Sequence, residues 1–399
     1  MKKRDFNKAK ALWTENKTQI TKIDYIEFYK QISYDFNEPL LWLHNKYEGD
    51  LEFISLLYIP EKAPFTLWDK DKKSGLYLYI KKIFIMENEN LLPSYLRFTK
   101  GIIDSNNLSL NISREILQNN KIIQKIKKSN VKKILGLLQW AAKNESNKYD
   151  KFWVSFGQIL KEGPAEDNAH KEKIAELLRF YSTSSEHKTI SLDNYISKMH
   201  KNQKHIYYIT AENLYAAQNN PQLEIFTKNN VEVLLLYERI DEWMISHLTE
   251  YSNISLQSVA KGEIDTKFFQ DKKQNIAVEN KNYQEMIKKI KALLVDKVEN
   301  VRLSNRLINS PSCLVVNNYG MSLHLQKIMK EAGRKDTQNT KPTLEINPKH
   351  ILIKKLKSTD STEFFQDLSL ILYNQAVLTE GGQLENPTQF IKLVNKYII

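Results

Sequence analysis

The sequence has 399 residues, 41% apolar and 27% charged, enough for two or three domains with their own cores and too apolar for general disorder. Its formal charge of +12 would ordinarily point to nucleic acid or an anionic surface. Only 8 of the 59 cationic residues are arginine, however, so the charge is a diffuse lysine coat with little phosphate-reading power.

Residues 1–10 read as a polar, basic linker remnant without the apolar core of a secretory signal. A helix is expected from about Thr21, with Tyr25, Ile26, Phe28, Tyr29 and Ile32 on its apolar face. Leu40 to Tyr47 and Leu51 to Ile59 read as a hairpin around Glu48-Gly49-Asp50. Leu76 to Met86 is β-branched and aromatic and reads as one long central strand. Tyr95 to Ile103 alternates like another, with turn chemistry following at Asp104 to Asn107. From Ile116 the apolar residues fall at helical spacing, with Ser113 as N-cap. Arg114 then lies in the first turn, where backbone N–H groups and a guanidinium make a phosphate site. Spacing alone favours an ordinary surface arginine paired with a carboxylate such as Glu115.

Further on, Asp150 to Phe180 is helical with a break at Gly163-Pro164, and Ser191 to Met199 adds a short helix. His205 to Thr210 and Val231 to Leu236 read as buried strands of a second small α/β unit, with helices at Glu212 to Ala217, Pro221 to Lys228 and Ile240 to Thr249. The polar stretch Lys261 to Gln274 marks a boundary. Beyond it come a helix at Tyr283 to Val295, strands at Val301 to Leu303 and Cys313 to Val316, and an amphipathic helix at Met321 to Ala332 ended by Gly333. A helix opened by Pro348 after an Asn347 cap follows, then Ser361 to Glu380 and Pro387 to Ile399.

Few residues carry chemistry. The single Cys313 excludes a disulfide framework and any cysteine-based metal site, and fits a reducing, cytoplasmic setting. No run approaches the roughly 20 apolar residues of a membrane span. Glycine-rich phosphate loops, metal-binding histidine spacings and nucleophile elbows are all missing from the sequence. Nothing here completes a reaction, so Arg114 would have to complete a site held elsewhere. The helix Ser361 to Glu380 is apolar on more than one face, which calls for burial either by a second copy of the chain or within the monomer; pattern alone does not choose. Met321, Leu325, Ile328 and Met329 form a stripe that is more often core than contact surface, and Trp243 beside Met244 is equally ambiguous.

The stretch LLPSYLRFTKGIIDSNNLSLNISREILQ, from Leu91 to Gln118, closely resembles the signature of the heat-shock protein 90 chaperone family in its bacterial HtpG form. Ala11 to Thr14, Leu56 to Phe65, Lys161 to Asp167, Ile206 to Thr210 and Ile240 to Met244 extend the match along the chain. The resemblance implies a fold of mixed α/β and α+β class. A middle domain at 11–265 would hold two α/β units (11–145 and 201–265) joined by a helical connector (146–200). A small mixed α/β C-terminal dimerisation domain at 275–399 would end in helices. It implies a chaperone that remodels non-native clients, with the N-terminal ATPase domain, and with it ATP and magnesium, outside this sequence. Arg114 would reach the ATP γ-phosphate, with Asn111 and Gln118 in the same loop. Phe65 and Trp68 would face the ATPase domain; Trp13, Trp243, Met321, Leu325, Ile328 and Met329 would form an exposed client surface. Leu368, Ile371, Leu372, Leu378, Phe390, Ile391 and Val394 would pair two copies. Ser109 stands where the family usually has proline, Tyr95 where it has tryptophan, and Asn106-Asn107 where it has acids. The resemblance implies neither a metal site in this chain nor a nucleic-acid or membrane partner. A basic nucleic-acid-binding protein is the competing expectation; its affinity would fall steeply with salt.

Overall fold

The computed structural model describes residues 11–68, 75–87, 89–110, 120–264, 276–318, 320–334 and 341–398. Asn111, Arg114, Gln118 and the expected Ser113 cap lie outside the described residues. The chain divides into two compact units, the first ending at Leu178 and the second spanning Arg179–Ile399. Both are mixed α/β, and the second ends in helices, as the fold class requires.

In the first unit a helix at Lys22–Ser33 starts at a reciprocal cap: Thr21 Oγ1 accepts from the Asp24 N–H, and the Asp24 carboxylate accepts from the Thr21 N–H at 2.8 Å. Its Tyr25 and Tyr29 pack on a five-stranded sheet together with Leu56, Tyr58 and Ile102. The strands are β1 (Leu41–Tyr47), β2 (Phe53–Ile59), β3 (Leu76–Ile80), β4 (Ile83–Glu87) and β5 (Lys100–Ser105), in the order β1-β2-β5-β3-β4. Only β3 and β5 run parallel. Gly101, with φ of 139°, lets β5 approach β2 closely; a Cβ there would lie 2.2 Å from the Leu56 carbonyl oxygen.

Two expectations fail here for identifiable reasons. Leu76 to Met86 is two strands joined by Lys81 and Lys82, both at positive φ. Lysines at positions that usually take Asn or Gly hid the turn, which is held by the Lys82 N–H on the Asp104 carboxylate at 3.2 Å. Tyr95 is not in a strand: Ser94–Leu96 is a 3-10 turn and β5 begins at Lys100, taking in Asp104 and Ser105. The alternation from Tyr95 reports burial of Tyr95, Leu96 and Phe98 around that turn.

Helices at Lys121–Asn144 and Ser146–Leu160 cover this unit, the first capped by Asn120 and burying Ile123, Ile126, Ile134 and Leu138. Short helices at Gly163–Glu166 and Lys171–Leu177 follow. The expected helix to Phe180 stops there because Phe180 enters a strand.

The second unit holds two sheets. The first contains β6 (Phe180–Ser182), β7 (Ser185–Ile190), β8 (His205–Thr210), β9 (Leu234–Leu236), β10 (Glu250–Tyr251) and β11 (Ile254–Ser258), in the order β10-β11-β8-β9-β6-β7. Tyr207, Ile209, Phe226, Val233, Leu235 and Val259 fill its core. The other has β12 (Asn300–Leu303), β13 (Ser312–Val315) and β14 (Thr343–Ile346), with β14 central. Helices at Ile276–Leu293, Ile351–Ser358 and Thr362–Thr379 cover it, burying Ile290, Leu294, Leu344, Ile346, Ile353 and Leu372. The expected Asn347 cap and Pro348 start are corrected: the helix begins at Ile351 under a His350 cap. Asn347 is buried: its Oδ1 accepts from the Lys349 N–H at 3.0 Å in the turn ahead of that helix, and its Nδ2 donates to the Ile308 and Ser310 carbonyls, both at 3.0 Å.

Two polar anchors join the sheets. The Glu224 carboxylate accepts from the N–H groups of Ile308, Asn309 and Ser310 and from the Ser310 hydroxyl. Arg306, 3% exposed, donates to Gln222, to the Val259 and Gly262 carbonyls, and to Glu345.

Candidate functional site

In the first unit, Pro64 opens a 3-10 turn at Phe65–Trp68 in which the Leu67 N–H donates to the Pro64 carbonyl and the Leu67 side chain is buried. Arg97 braces it by donating from Nε to the Leu67 carbonyl at 3.2 Å, while its two terminal nitrogens grip Glu162 at 2.5 and 2.8 Å. The guanidinium carbon lies 6.0 Å from the Trp68 ring centre. Glu61, just before the turn, is tied to Lys151 and Ser155. Phe65 is thereby held fully exposed and Trp68 more than half exposed on a fixed loop. An apolar pair presented on such a scaffold suits a partner surface.

Trp13 corrects the expectation of an exposed client contact. It is 7% exposed, its indole N–H donates to the Asp104 carboxylate at 2.8 Å, and its ring packs on Phe28 and Tyr79. A tryptophan with its one donor satisfied inside is core.

Exposed apolar residues not singled out in the sequence lie nearby. Tyr34, which ends the first helix in the left-handed conformation, and Phe36 are 85% and 93% exposed. Ile83 and Phe84 on β4 are half exposed, and Phe84 lies 6.2 Å from Tyr77, whose hydroxyl donates to the Ile32 carbonyl at the end of that helix. The available signal was a pair of aromatics directly after a helix end, interleaved with Asp35 and Asn37.

In the second unit, the helix Arg239–His247 exposes Trp243 and buries Met244. The neighbouring helix Leu323–Glu331 has nine residues, too few to persist unaided, and polar ties hold it. Ser322, its N-cap, accepts from the Leu325 N–H and donates to Glu242 at 2.6 Å; His324 Nδ1 lies 3.4 Å from the same carboxylate. Burial works against the Glu242 charge, but hydrogen bonds from His324, Ser322 and Thr210 hold its pKa below the ordinary value. Lys327 pairs with Glu212 at 2.7 Å, and Arg239 with Glu331. Met321, Leu325, Ile328 and Met329 are half-buried, so the stripe is neither full core nor free surface.

Glu380 offers a pH test of this unit. Burial pushes its carboxyl up to about 7, against the opposing pull of Gln222, Asn220 and Arg306. The folded chain then keeps a proton that the unfolded chain loses above its ordinary value of 4.5, so unfolding free energy falls as pH rises through that window. Glu380→Gln should flatten the fall between about pH 5 and about pH 7 in urea titrations. Parallel curves for parent and variant would remove Glu380 as its source.

The closing helices divide the expected pairing residues. Leu368, Ile371 and Leu372 are buried within the chain itself, Leu368 and Leu372 against the β12–β14 layer, which corrects their assignment to a contact between copies. The helix Pro387–Ile398 buries no residue. Its Tyr397 ring meets Phe364 edge-on at 5.1 Å, and Lys396 and Tyr397 both bond Asp367. Leu378 and Ile391 remain exposed, and Phe390 and Val394 half so.

Among the described residues, no group of three or more His, Cys, Asp or Glu could hold a metal ion, and no helix is long and apolar enough to cross a membrane. Arg97, Arg239, Arg302 and Arg306 are each paired with a carboxylate, so they form no open phosphate-reading cluster.

The sequence profile described as Hsp90 protein matches residues 1–399. Chaperone protein HtpG of Francisella tularensis subsp. holarctica (strain LVS) is 53% identical over 398 residues, covering 98% of this chain and 63% of that protein. Chaperone protein HtpG of Methylococcus capsulatus is 50% identical over 394 residues, covering 98% and 62%, and that of Nitrosococcus oceani 48% over 399 residues, covering 98% and 63%. This chain thus spans a little under two thirds of the length of the relatives it matches.

Proposed function

Because this chain belongs to the Hsp90 protein family, we propose that it acts as the client-holding and pairing portion of an HtpG-type molecular chaperone. The observation that carries this reading is identity of 48 to 53% over 98% of the chain to proteins named as HtpG chaperones. The exposed Phe36, Phe65, Trp68 and Trp243 on braced elements are consistent with it, since apolar side chains held open are what a non-native polypeptide engages. In this reading residues 11–265 form the middle portion, with clients meeting Trp243 and the Met321 to Met329 stripe. Residues 275–399 pair two copies.

The proposal extends to Arg114, with Asn111 and Gln118 in its loop, serving the γ-phosphate of magnesium-bound ATP held on a nucleotide-binding domain that Phe65 and Trp68 face. An arginine there stabilises charge during phosphoryl transfer, an effect on the order of 10³-fold or more in turnover.

One preparation tests both parts. The purified chain should suppress aggregation of a denatured reporter protein, and Trp243→Ala should weaken that several-fold. With an isolated HtpG nucleotide-binding domain added, Arg114→Ala should lower ATP turnover at least about tenfold. A parent chain that leaves aggregation unchanged in molar excess would sink the client reading; turnover indifferent to Arg114 would sink the other.

A further inference from the structure

We infer that the outer face of the helix Lys121–Asn144 is a track for single-stranded nucleic acid, a site in the first unit beyond the chaperone reading and independent of it. That helix carries seven lysines and no acidic residue. Its apolar residues Ile123, Ile126, Ile134 and Leu138 are buried, while Lys125, Lys128, Lys132 and Lys143 are exposed and fall, at about 3.6 residues per turn, within one narrow stripe. None of these four makes an ion pair among the described residues. Lys127, on the packed side, instead faces Glu166 and Asp167, whose charges offset part of its burial. Like charges three and four positions apart on a helix repel, so a polyanion laid along the stripe would relieve a repulsion built into the helix.

Spacing and one aromatic choose among polyanions. Lys125, Lys128 and Lys132 follow one another at about 4.5 and about 6 Å along the helix axis. One strand of a duplex sets its phosphates about 3.4 Å apart, so a strand keeps pace with these lysines only when it is stretched out of its stack. Unstacked bases take an aromatic platform, and Trp140, 48% exposed, flanks the stripe two turns beyond Lys132. The turn between them is Gly136, where an added Cβ would meet nothing within 4 Å, so the space toward which a helical side chain leans stays open there. Glu176 bonds this helix, but its carboxylate accepts from Gln139 Nε2 at 2.5 Å. A lipid surface would call for apolar side chains spread along the stripe, and Trp140 is the one large apolar side chain this helix exposes. An acidic polypeptide would answer the lysines and leave the indole unused.

The test titrates the purified chain with a fluorescein-labelled oligouridine of about twelve nucleotides, read by anisotropy over a range of salt. Affinity should fall with salt at a log–log slope of about 0.7 per phosphate held, so about 3 for four lysines. Lys128→Glu with Lys132→Glu should weaken binding at least about tenfold and lower the slope by about 1. Trp140→Ala should weaken it at least about fivefold at an unchanged slope. Lys354→Glu with Lys355→Glu makes the same charge change on the exposed face of the helix Ile351–Ser358 in the second unit, and should cost less than about threefold. A parent chain with no measurable affinity at low salt would overturn the inference. So would equal losses in the two double variants, which would assign binding to diffuse charge, or a Trp140→Ala chain that binds as tightly as the parent. Displacement of the RNA by polyglutamate or by phosphatidylglycerol vesicles, at matched charge, as readily as by unlabelled oligouridine would also overturn it. Thermal melts of the variants, all changed at exposed positions, establish that each is folded.

Discussion

Replacing Arg306 by alanine is expected to destabilise the second unit by about 3–5 kcal/mol, the range for breaking a buried ion pair from one side. The side chain is 4% exposed and Glu345 opposite is equally buried. Its nitrogens reach Gln222 at 3.1 Å, the Gly262 carbonyl at 2.8 Å and both Glu345 oxygens at 3.0 and 3.3 Å. Truncation leaves the Val259 and Gly262 carbonyls without this donor, and Glu345 keeps only Arg302 and Ser304. An unmet buried acceptor costs roughly 1–3 kcal/mol each, so several together reach the stated range. Because Gln222 and Val259 belong to the β6–β11 region and Glu345 to β14, the loss should loosen both sheets at once. Urea unfolding gives the magnitude, and hydrogen exchange at β14 gives the place. Adding Glu345→Gln to Arg306→Ala should recover part of the loss by removing the stranded charge. A loss below about 1 kcal/mol would mean that this buried guanidinium is not an anchor.

The same residues show what the sequence displays and what it conceals. Elements written in local chemistry were legible: β8, where HIYYIT matches its strand residue for residue, and the helices begun by Thr21, Ser191 and Ser361, whose side chains cap as their types predict. β14 was not legible. It is four residues long and central, and its inward Glu345 breaks the apolar pattern; only the partners Arg302 and Arg306, distant in sequence, make that glutamate tolerable inside. The Lys81-Lys82 turn was concealed because its stabiliser, Asp104, lies 22 residues further on. Burial choices between surface and core were the least legible. Trp13 and Trp243 are both tryptophans in family-like motifs, yet Trp13 is buried with its indole N–H on Asp104, while Trp243 is 42% exposed on its helix. Leu368 and Leu372 likewise fill the chain's own core where a second copy was an equal candidate, a choice set by β13 and β14 lying beneath them.

That division sharpens the pairing prediction, because it leaves a smaller and more specific face. On the helix Pro387–Ile398, Lys396 and Tyr397 turn toward Glu363 and Asp367. Ile391 and Ile398, seven positions apart and 56% and 73% exposed, lie on one stripe with half-buried Val394 between them. Leu378, 48% exposed near the end of the preceding helix, adds to the apolar surface. Two such helix pairs meeting about a two-fold axis would make a four-helix bundle. Ile391→Asp puts a carboxylate in that contact without touching the monomer's core, and should weaken self-association at least about a hundredfold, ~2.7 kcal/mol. Leu368→Ala is the matched opposite: it should cost about 2–5 kcal/mol of unfolding free energy and leave the association constant within about threefold of the parent. Sedimentation equilibrium and urea unfolding on the two variants separate the roles. An Ile391→Asp chain that pairs as tightly as the parent would place the contact elsewhere. A Leu368→Ala chain that folds normally but dissociates would return Leu368 to the interface.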